Sequence, residues 1–180
     1  MRLLAGIVLM LVSALALAQD EVVLRQPIVI TSAGQSADAT VLNALLRRAG
    51  VDAELVEELT AADLGDTGTL LLVLGASQKA LGAAGIDSRA ELARLDALLS
   101  AAEEAGVVIV GVHIGGEGRR GPLSEPFIAA VAGRTHLLVV TAEGNADGYF
   151  NGVSESEGVP LVLLERTNEV PGAIAELVAD

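Results

Sequence analysis

One glycine-rich stretch of the chain, from His113 to Gly121, brings together residue types that could hold an anion. Its glycines allow a tight turn that exposes backbone N–H groups, and a helix predicted to begin just after it adds partial positive charge. Arg119 and Arg120 lie side by side near its end and together add about ten N–H donors. We therefore predict that the turn from Gly115 to Gly118 binds a carboxylate or phosphate, with at least one arginine closing over it.

His113 itself could act in catalysis, because a histidine titrates near neutral pH. One hypothesis makes it the base of a hydrolase or isomerase, working with Lys79 or an acidic residue. The alternative is a structural histidine, half buried and hydrogen-bonded to the neighbouring loop. A metal site built from His113 with Glu117, Glu143 and Asp147 would match no strong ligand motif, so no metal is predicted.

A second polar loop, Thr31 to Ser36, follows the first apolar run after the N-terminal region. Backbone N–H groups around Gly34 and the side chains of Ser32, Gln35 and Ser36 would offer donors there. The loop lacks the pattern G-x-G-x-x-G, and the sequence nowhere contains G-K-[ST]. Neither a dinucleotide site nor a Walker-type nucleotide site is therefore predicted, and we expect no cofactor.

A third loop, Gly75 to Lys79, contains the only lysine of the chain. Lys79 could pair with an anionic group, act as a base if it were desolvated, or be an ordinary surface lysine. The segment is similar to a nucleophile elbow, but lysine stands where that motif needs glycine. Ser77 is therefore not favoured as a hydrolytic nucleophile.

Six apolar runs separate the polar loops and predict β-strands. Because the runs are almost continuously hydrophobic rather than alternating, they are typical of parallel strands that are covered on both faces. The connection between Val56 and Thr69 is short and leaves room only for a helical stub. The runs are Pro27–Thr31, Val51–Val56, Thr69–Leu74, Val107–His113, His136–Thr141 and Pro160–Glu165.

Helical periodicity between these runs predicts amphipathic helices. Ser88 with Glu91 fits a capping box at the start of one of them. Two apolar stripes follow the helical repeat: Val41, Leu42, Leu45, Leu46 and Ala49, and Leu92, Leu95, Leu98, Leu99 and Ala102. Alternating strands and helices predict an α/β fold, a single doubly wound domain of the Rossmann or flavodoxin type. It would have three layers and a mostly parallel sheet of five or six strands.

This fold class would bring the polar loops to one edge of the sheet. Ligands of open parallel sheets bind beyond the carboxyl ends of the strands, where the strand order reverses. We expect the first strand inside the sheet, so that its loop borders the crevice for a strand order of either 2-1-3-4-5 or 3-2-1-4-5-6. The opposite edge carries mostly plain turns, which favours a binding site over general loop polarity.

The candidate ligand-binding residues are Ser32, Gly34, Gln35, Ser36, Ser77, Lys79, His113, Gly115, Gly116, Glu117, Arg119, Arg120 and Asn145. All of them belong to the loops that follow the predicted strands. No catalytic residue is assigned.

The first eighteen residues predict a secretion signal. Arg2 gives a positive start, an apolar run from Leu3 follows, and Ala16-Leu17-Ala18 is a small-x-small cleavage site. The run is shorter than the roughly 20 residues needed to span a bilayer, although an uncleaved anchor is the alternative. We expect cleavage after Ala18, export to the periplasm or the medium, no membrane insertion afterwards, and one mature domain of residues 19–180.

Composition and charge exclude several classes of protein. The formal net charge of −13 repels nucleic acids, and aromatic residues, which stack on RNA bases, make up only 2% of the chain. The sequence contains no cysteine, which excludes disulfides, thiolate chemistry and lipid attachment through a thiol. We therefore expect a small-molecule ligand and no nucleic-acid partner.

Four segments carry a resemblance to a known family: Ser32–Ser36, Ser77–Asp87, His113–Gly121 and Glu143–Gly148. Together they resemble an uncharacterised family of exported bacterial α/β proteins, catalogued only as a domain of unknown function. The resemblance extends over nearly the whole mature chain, from near Pro27 to near Glu176. It implies a Rossmann-like fold and export, and it implies no activity and no catalytic residue.

Two function classes stay open at this point. The first is a non-enzymatic exported protein that binds a small anionic metabolite, as an accessory to uptake or sensing with a transport-associated partner. The second is an extracytoplasmic hydrolase or isomerase based on His113, which hydrogen-bonding reach to Ser32, Ser77 or Glu117 would favour. If Arg119 and Arg120 hold the anion, changing both to alanine should weaken binding about ten- to a hundredfold and leave the melting temperature nearly unchanged, because exposed loop charges contribute little to folding. If they are only a solvated surface pair, the double variant should respond to anions as the wild type does.

Overall fold

A computed structural model describes residues 22–179, so the predicted signal peptide, residues 1–18, lies outside the described residues. The strands are β1 (Ile28–Ala33), β2 (Glu54–Leu55), β3 (Thr69–Leu74), β4 (Val108–His113), β5 (Leu137–Thr141) and β6 (Leu161–Leu164). They pair in parallel throughout, in the order β2-β1-β3-β4-β5-β6. The prediction of an α/β fold with a mostly parallel sheet of five or six strands is confirmed.

Helices cover both faces of the sheet and complete the three predicted layers. The helices are α1 (Asp38–Arg48), α2 (Gln78–Ala83), α3 (Ser88–Glu104), α4 (Glu125–Ala132), α5 (Tyr149–Glu157) and α6 (Val170–Ala175). Buried residues of α1 and α6 pack on one face, and buried residues of α2, α3, α4 and α5 pack on the other. Among residues 22–179, no helix is both long and apolar enough to cross a bilayer.

The continuous apolar runs arise because the central strands bury both of their faces. In β3, Leu70, Leu72 and Leu74 pack against α3 and α4, whereas Leu71 and Val73 pack on the face covered by α1. All six residues of β3 are buried. Each fully buried side chain of this kind stabilises the fold by roughly 1.5–3 kcal/mol relative to an exposed one, so the sheet is a rigid base for its loops.

The reversal of strand order lies between β1 and β3. As expected, β1 lies inside the sheet, with β2 on one side and β3 on the other. This is the 2-1-3-4-5 alternative, extended by β6. The loops that follow β1 and β3 therefore border the crevice where open parallel sheets bind their ligands.

The second predicted strand and the apolar stripe of α1 are both smaller than the sequence predicted, whereas the short link between β2 and β3 is as expected. The run Val51–Val56 forms only the two-residue β2, and the connection to β3 holds a single 3-10 turn, Ala61–Asp63, as its length predicted. The apolar stripe of α1 is narrower than predicted, because Val41 is 47% exposed. Leu42 and Leu46 of that stripe are buried.

The predicted capping box at the start of α3 is wrong. Asp87 is the N-cap, and its Oδ1 accepts a hydrogen bond from the Ala90 amide at 2.8 Å. Ser88 is instead the first residue of the helix. Glu91 is therefore free of a capping role, and it is fully buried.

Candidate functional site

The loop after β1 holds a carboxylate that belongs to the chain itself. The Gly34 amide donates to Glu91 Oε1 at 2.9 Å, and Gln35 Nε2 donates to both Glu91 oxygens at 3.3 Å. Gly34 has a φ of +106°, and a Cβ there would lie 2.7 Å from the Gly75 carbonyl oxygen, so only glycine fits. Two predicted ligand donors, Gly34 and Gln35, thus bind an internal anion.

Arg94 neutralises Glu91 and joins two neighbouring loops. Its Nε and Nη2 donate to the two carboxylate oxygens at 2.8 Å each, in a bidentate pair. Its Nη1 donates to the Leu59 carbonyl and its Nη2 to the Ser32 carbonyl, both at 2.6 Å. Burial raises the pKa of Glu91, but Arg94 and the Gly34 amide outweigh it and hold the pKa below its ordinary value of 4.5. The pair is therefore ionised at neutral pH.

A cleft of about 320 Å³ opens at the carboxyl ends of the strands beside this pair. We call it the β1/β3 cleft. Its lining consists of alanines from the start of α1 and from α2 together with the polar residues Ser32, Gln35, Ser36, Thr40, Glu57 and Glu58. The volume suits a small metabolite, and neither lysine nor arginine belongs to this lining.

Two buried hydroxyl groups line the β1/β3 cleft. The Ser36 amide donates to Ser32 Oγ at 2.8 Å, and the Asp38 amide donates to Ser36 Oγ at 3.3 Å. In the described part of the chain both oxygens serve only as acceptors, so both O–H groups stay available to donate. Since α1 begins at Asp38, its first N–H groups lie beside them. One turn beyond Thr40, the buried Asn43 Oδ1 has no hydrogen-bond partner among residues 22–179.

Lys79 and Ser77 lie at the start of α2. Lys79 is exposed and stands next to Ala80 and one turn before Ala83, both of which line the β1/β3 cleft. Ser77 is the N-cap of α2, and its Oγ accepts a hydrogen bond from the Ala80 amide at 3.3 Å. The Ser77 hydroxyl oxygen therefore has a local structural role.

His113 is fully buried at the end of β4. Its Nδ1 lies 2.8 Å from the Leu74 carbonyl oxygen and its Nε2 lies 3.2 Å from the Gly116 carbonyl oxygen. Burial lowers the pKa of His113 below 6.5, although hydrogen bonds to the two carbonyls oppose the shift. The ring is therefore neutral at pH 7, and its single N–H donates to one carbonyl at a time. Its surroundings are those of a structural histidine.

Arg119 binds the first residue of α1. Its Nε donates to Asp38 Oδ2 at 3.0 Å, and its aliphatic stem packs over the backbone of Gly75 and Gly115. The side chain is 33% exposed, and its hydrogen bond to Asp38 uses Nε alone. The end of the guanidinium group therefore still faces solvent near the start of α1.

The guanidinium group of Arg120 is hydrogen-bonded to other groups of the chain. Its Nε donates to Glu125 at 2.9 Å, its Nη1 to the Gly144 carbonyl at 2.7 Å, and its Nη1 and Nη2 to the Asp147 carboxylate at 3.0 Å each. The guanidinium carbon lies 5.1 Å from the ring centroid of Tyr149. The side chain is only 12% exposed. Two carboxylates already neutralise this arginine.

The other predicted residues of this edge are held in different ways. The Glu143 carboxylate lies against the Cα of Gly116, where an anion at the glycine turn would come. Glu117 is exposed. Asn145 is buried, and its Oδ1 accepts a hydrogen bond from the Phe150 amide at 2.9 Å. Across residues 22–179 the structure brings no three His, Asp or Glu side chains into a metal-binding group.

Sequence reasoning missed the carboxylates that organise this edge. Asp38, Glu91 and Glu125 each bind an arginine there. For Glu91 the sequence did contain a usable pattern, because it stands four residues before Leu95 and seven before Leu98. A charge on the buried stripe of a helix requires a buried partner, and an arginine follows three residues later.

Comparisons with known proteins give a family and a distant structural similarity. Residues 25–178 match the family model described as Domain of unknown function (DUF6305). A search of proteins with curated descriptions gives no match. Among solved structures, the chain is similar to the psychrotrophic esterase EstA from Pseudoalteromonas sp., inhibited by monoethylphosphonate, with 13% identity and a TM-score of 0.29. The similarity covers 83% of this chain and 91% of that one, and at this TM-score it carries no argument.

Proposed function

The chain belongs to the DUF6305 family, and we propose that it is an exported protein that binds a small anionic metabolite in the β1/β3 cleft. The observation that carries this proposal is the position and lining of the cleft. It opens where the strand order reverses, and two buried hydroxyl groups and the start of an eleven-residue helix face it. A carboxylate or phosphate group bound there would accept hydrogen bonds from both.

Two cationic side chains support an anion at this position. Lys79 stands beside residues of α2 that line the cleft, and Arg119 lies at the start of α1 with part of its guanidinium facing solvent. Charge-assisted contacts from either would add to the hydroxyl and amide donors. Arg120 takes no part in this proposal, because Glu125 and Asp147 already bind it.

The buried position of His113 favours a binding protein over an enzyme. Both of its ring nitrogens face backbone carbonyls, and neither contacts Ser32, Ser77 or Glu117. A general base must reach the proton that it abstracts, and a fully buried ring between two carbonyls has no such access. A role as accessory to an uptake or sensing system fits a binding protein.

Thermal-shift screening of the wild type with simple organic acids and phosphates tests the binding proposal. At a ligand concentration of 100 times Kd we expect the midpoint to rise by roughly 5–10 °C. Titration calorimetry then compares Lys79→Gln with Arg47→Gln, an equal change of charge at the far end of α1. We expect about a tenfold loss of affinity for the first and no loss for the second. No stabilisation of the wild type by any organic acid, amino acid or phosphate contradicts the proposal.

Export is tested separately on the protein produced by its natural host. We expect mass spectrometry of the secreted chain to give an N-terminus at Gln19, because Ala16-Leu17-Ala18 provides the cleavage site. An intact Met1 in membrane fractions would show instead that the segment is an anchor.

A further inference from the structure

We infer that the ligand of the β1/β3 cleft is a small zwitterion, with an ammonium group that Glu57 and Glu58 bind in addition to its anionic group. This inference rests on the proposed function and adds the second charge of the ligand. An anion alone leaves one feature of the cleft unexplained: two solvent-exposed glutamates contribute to its lining.

The segment that carries these carboxylates is fixed on both sides. The Val56 amide donates to the Ile30 carbonyl at 2.9 Å, and Thr31 Oγ1 donates to the Glu57 carbonyl at 3.0 Å, which ties the segment to β1. Just beyond Glu58, the Leu59 carbonyl accepts a hydrogen bond from the partly buried Arg94. The backbone that carries the two glutamates is therefore a preorganised wall of the cleft rather than a loose loop, which lowers the entropy cost of binding.

The cations of the chain are placed so that they leave this wall unneutralised. Arg94, Arg119 and Arg120, which lie at the carboxyl edge, bind Glu91, Asp38, Glu125 and Asp147. Among the described residues neither Glu57 nor Glu58 forms an ion pair within 4.0 Å, although both line the cleft.

The lining of the cleft therefore offers partners for groups of both charges. The Ser32 and Ser36 hydroxyls and the start of α1 offer donors, whereas Glu57 and Glu58 offer acceptors. A ligand with only an anionic group would meet repulsion from the two carboxylates, and a simple amine would leave the donors unpaired. An amino acid-type molecule with separated carboxylate and ammonium groups satisfies both the donors and the glutamates.

Matched pairs of ligands test this inference on the mature protein. Calorimetry compares butanoate with 4-aminobutanoate and hexanoate with 6-aminohexanoate, and butylamine serves as the amine without a carboxylate. We expect at least one amino acid to bind about tenfold more tightly than the carboxylate of equal length, since an ammonium–carboxylate contact in a partly enclosed site is worth about that factor. Butylamine should bind more weakly than 4-aminobutanoate.

The variant Glu57→Gln/Glu58→Gln should remove this preference. It keeps the shape and polarity of both side chains, so we expect affinity for the amino acid to fall about tenfold and affinity for the carboxylate to stay equal or rise. The control is Glu104→Gln/Glu176→Gln, which removes the same charge from the ends of α3 and α6 at the opposite edge of the sheet. Circular dichroism checks each fold, and the single variants Glu57→Gln and Glu58→Gln replace the double one if it fails to fold.

Each outcome separates the inference from the proposed function. Equal binding of carboxylates and amino acids, or the same loss of affinity in the control variant, overturns the zwitterion and leaves an anion-binding cleft. Absence of binding by every carboxylate, phosphate and amino acid overturns the proposed function, and the inference falls with it. Binding of the amino acid alone, lost in Glu57→Gln/Glu58→Gln, supports both.

Discussion

The carboxyl edge of the sheet has two polar regions that look alike in sequence and differ in structure. One is the β1/β3 cleft; the other we call the arginine cluster, formed by Arg119 and Arg120 with Asp38, Glu125 and Asp147. Both lie beside glycine-rich turns and helix starts. In the arginine cluster two carboxylates already neutralise Arg120 and Asp38 binds Arg119 through Nε, whereas the cleft keeps unused hydroxyl donors and unpaired acids.

This difference shows that donors and glycines alone do not make a binding site. A buried or half-buried guanidinium needs partners, and an acidic chain supplies them from its own carboxylates. Arg120 illustrates this, because it combines two ion pairs with stacking on Tyr149. What distinguishes the cleft is space in front of polar groups that the chain leaves unsatisfied.

The largest effect should come from the buried pair beneath the cleft. Changing Glu91 to alanine leaves Arg94 without its counter-charge and the Gly34 amide without an acceptor. We expect the free energy of unfolding to fall by about 3–5 kcal/mol, measured by urea denaturation at pH 7. Glu103→Ala breaks the exposed ion pair with Arg134 and should cost less than about 1 kcal/mol. Equal losses would contradict the burial argument.

Replacing either of the two adjacent arginines should lower the free energy of unfolding by less, and by a different amount for each. Arg120→Ala removes several charge-assisted hydrogen bonds and a ring contact, so we expect a loss of about 2–3 kcal/mol. Arg119→Ala removes one half-exposed pair and should cost about 0.5–1 kcal/mol. This replaces the sequence-based expectation that both could be changed with little effect on stability. Similar midpoints for the two variants would show that the cluster is only a solvated surface.

The pH dependence of stability should report on His113. Because burial lowers its pKa in the folded state, the unfolded chain takes up its proton first as pH falls below 6.5. Stability should therefore be retained above pH 6.5 and decrease below it, with a slope of at most about 1.4 kcal/mol per pH unit from this group. Urea denaturation between pH 8 and 5 measures the slope, and His113→Gln should flatten it. An unchanged slope in the variant would assign the dependence to other groups.

The smallest effect should distinguish the two regions by ligand affinity alone. Ser36→Ala removes one hydroxyl donor of the cleft, so we expect an organic acid that stabilises the wild type to bind about three- to tenfold more weakly. Arg120→Ala should leave the affinity of the folded protein unchanged, despite its larger effect on stability. Calorimetry below the unfolding temperature measures both. The reverse pattern would move the site to the arginine cluster.

The sequence alone determined the fold class and the edge that carries the polar loops. The run Thr69–Leu74 is apolar at every position from Leu70 onward, and a short continuous run of this kind is typical of a strand covered on both faces. The short link between Val56 and Thr69 likewise allowed only a stub. Local patterns of this kind were sufficient because each reflects the burial of a contiguous segment.

The tertiary structure alone decided which donors are free. Glu91 meets Gly34 across 57 residues of sequence, and Arg119 meets Asp38 across 81. No periodicity encodes such a pairing, because an ion pair depends on where two side chains point after the elements have packed. The sequence located the polar edge, and the packing of α1 and α3 onto the sheet determined which part of that edge its own carboxylates fill and which part stays open.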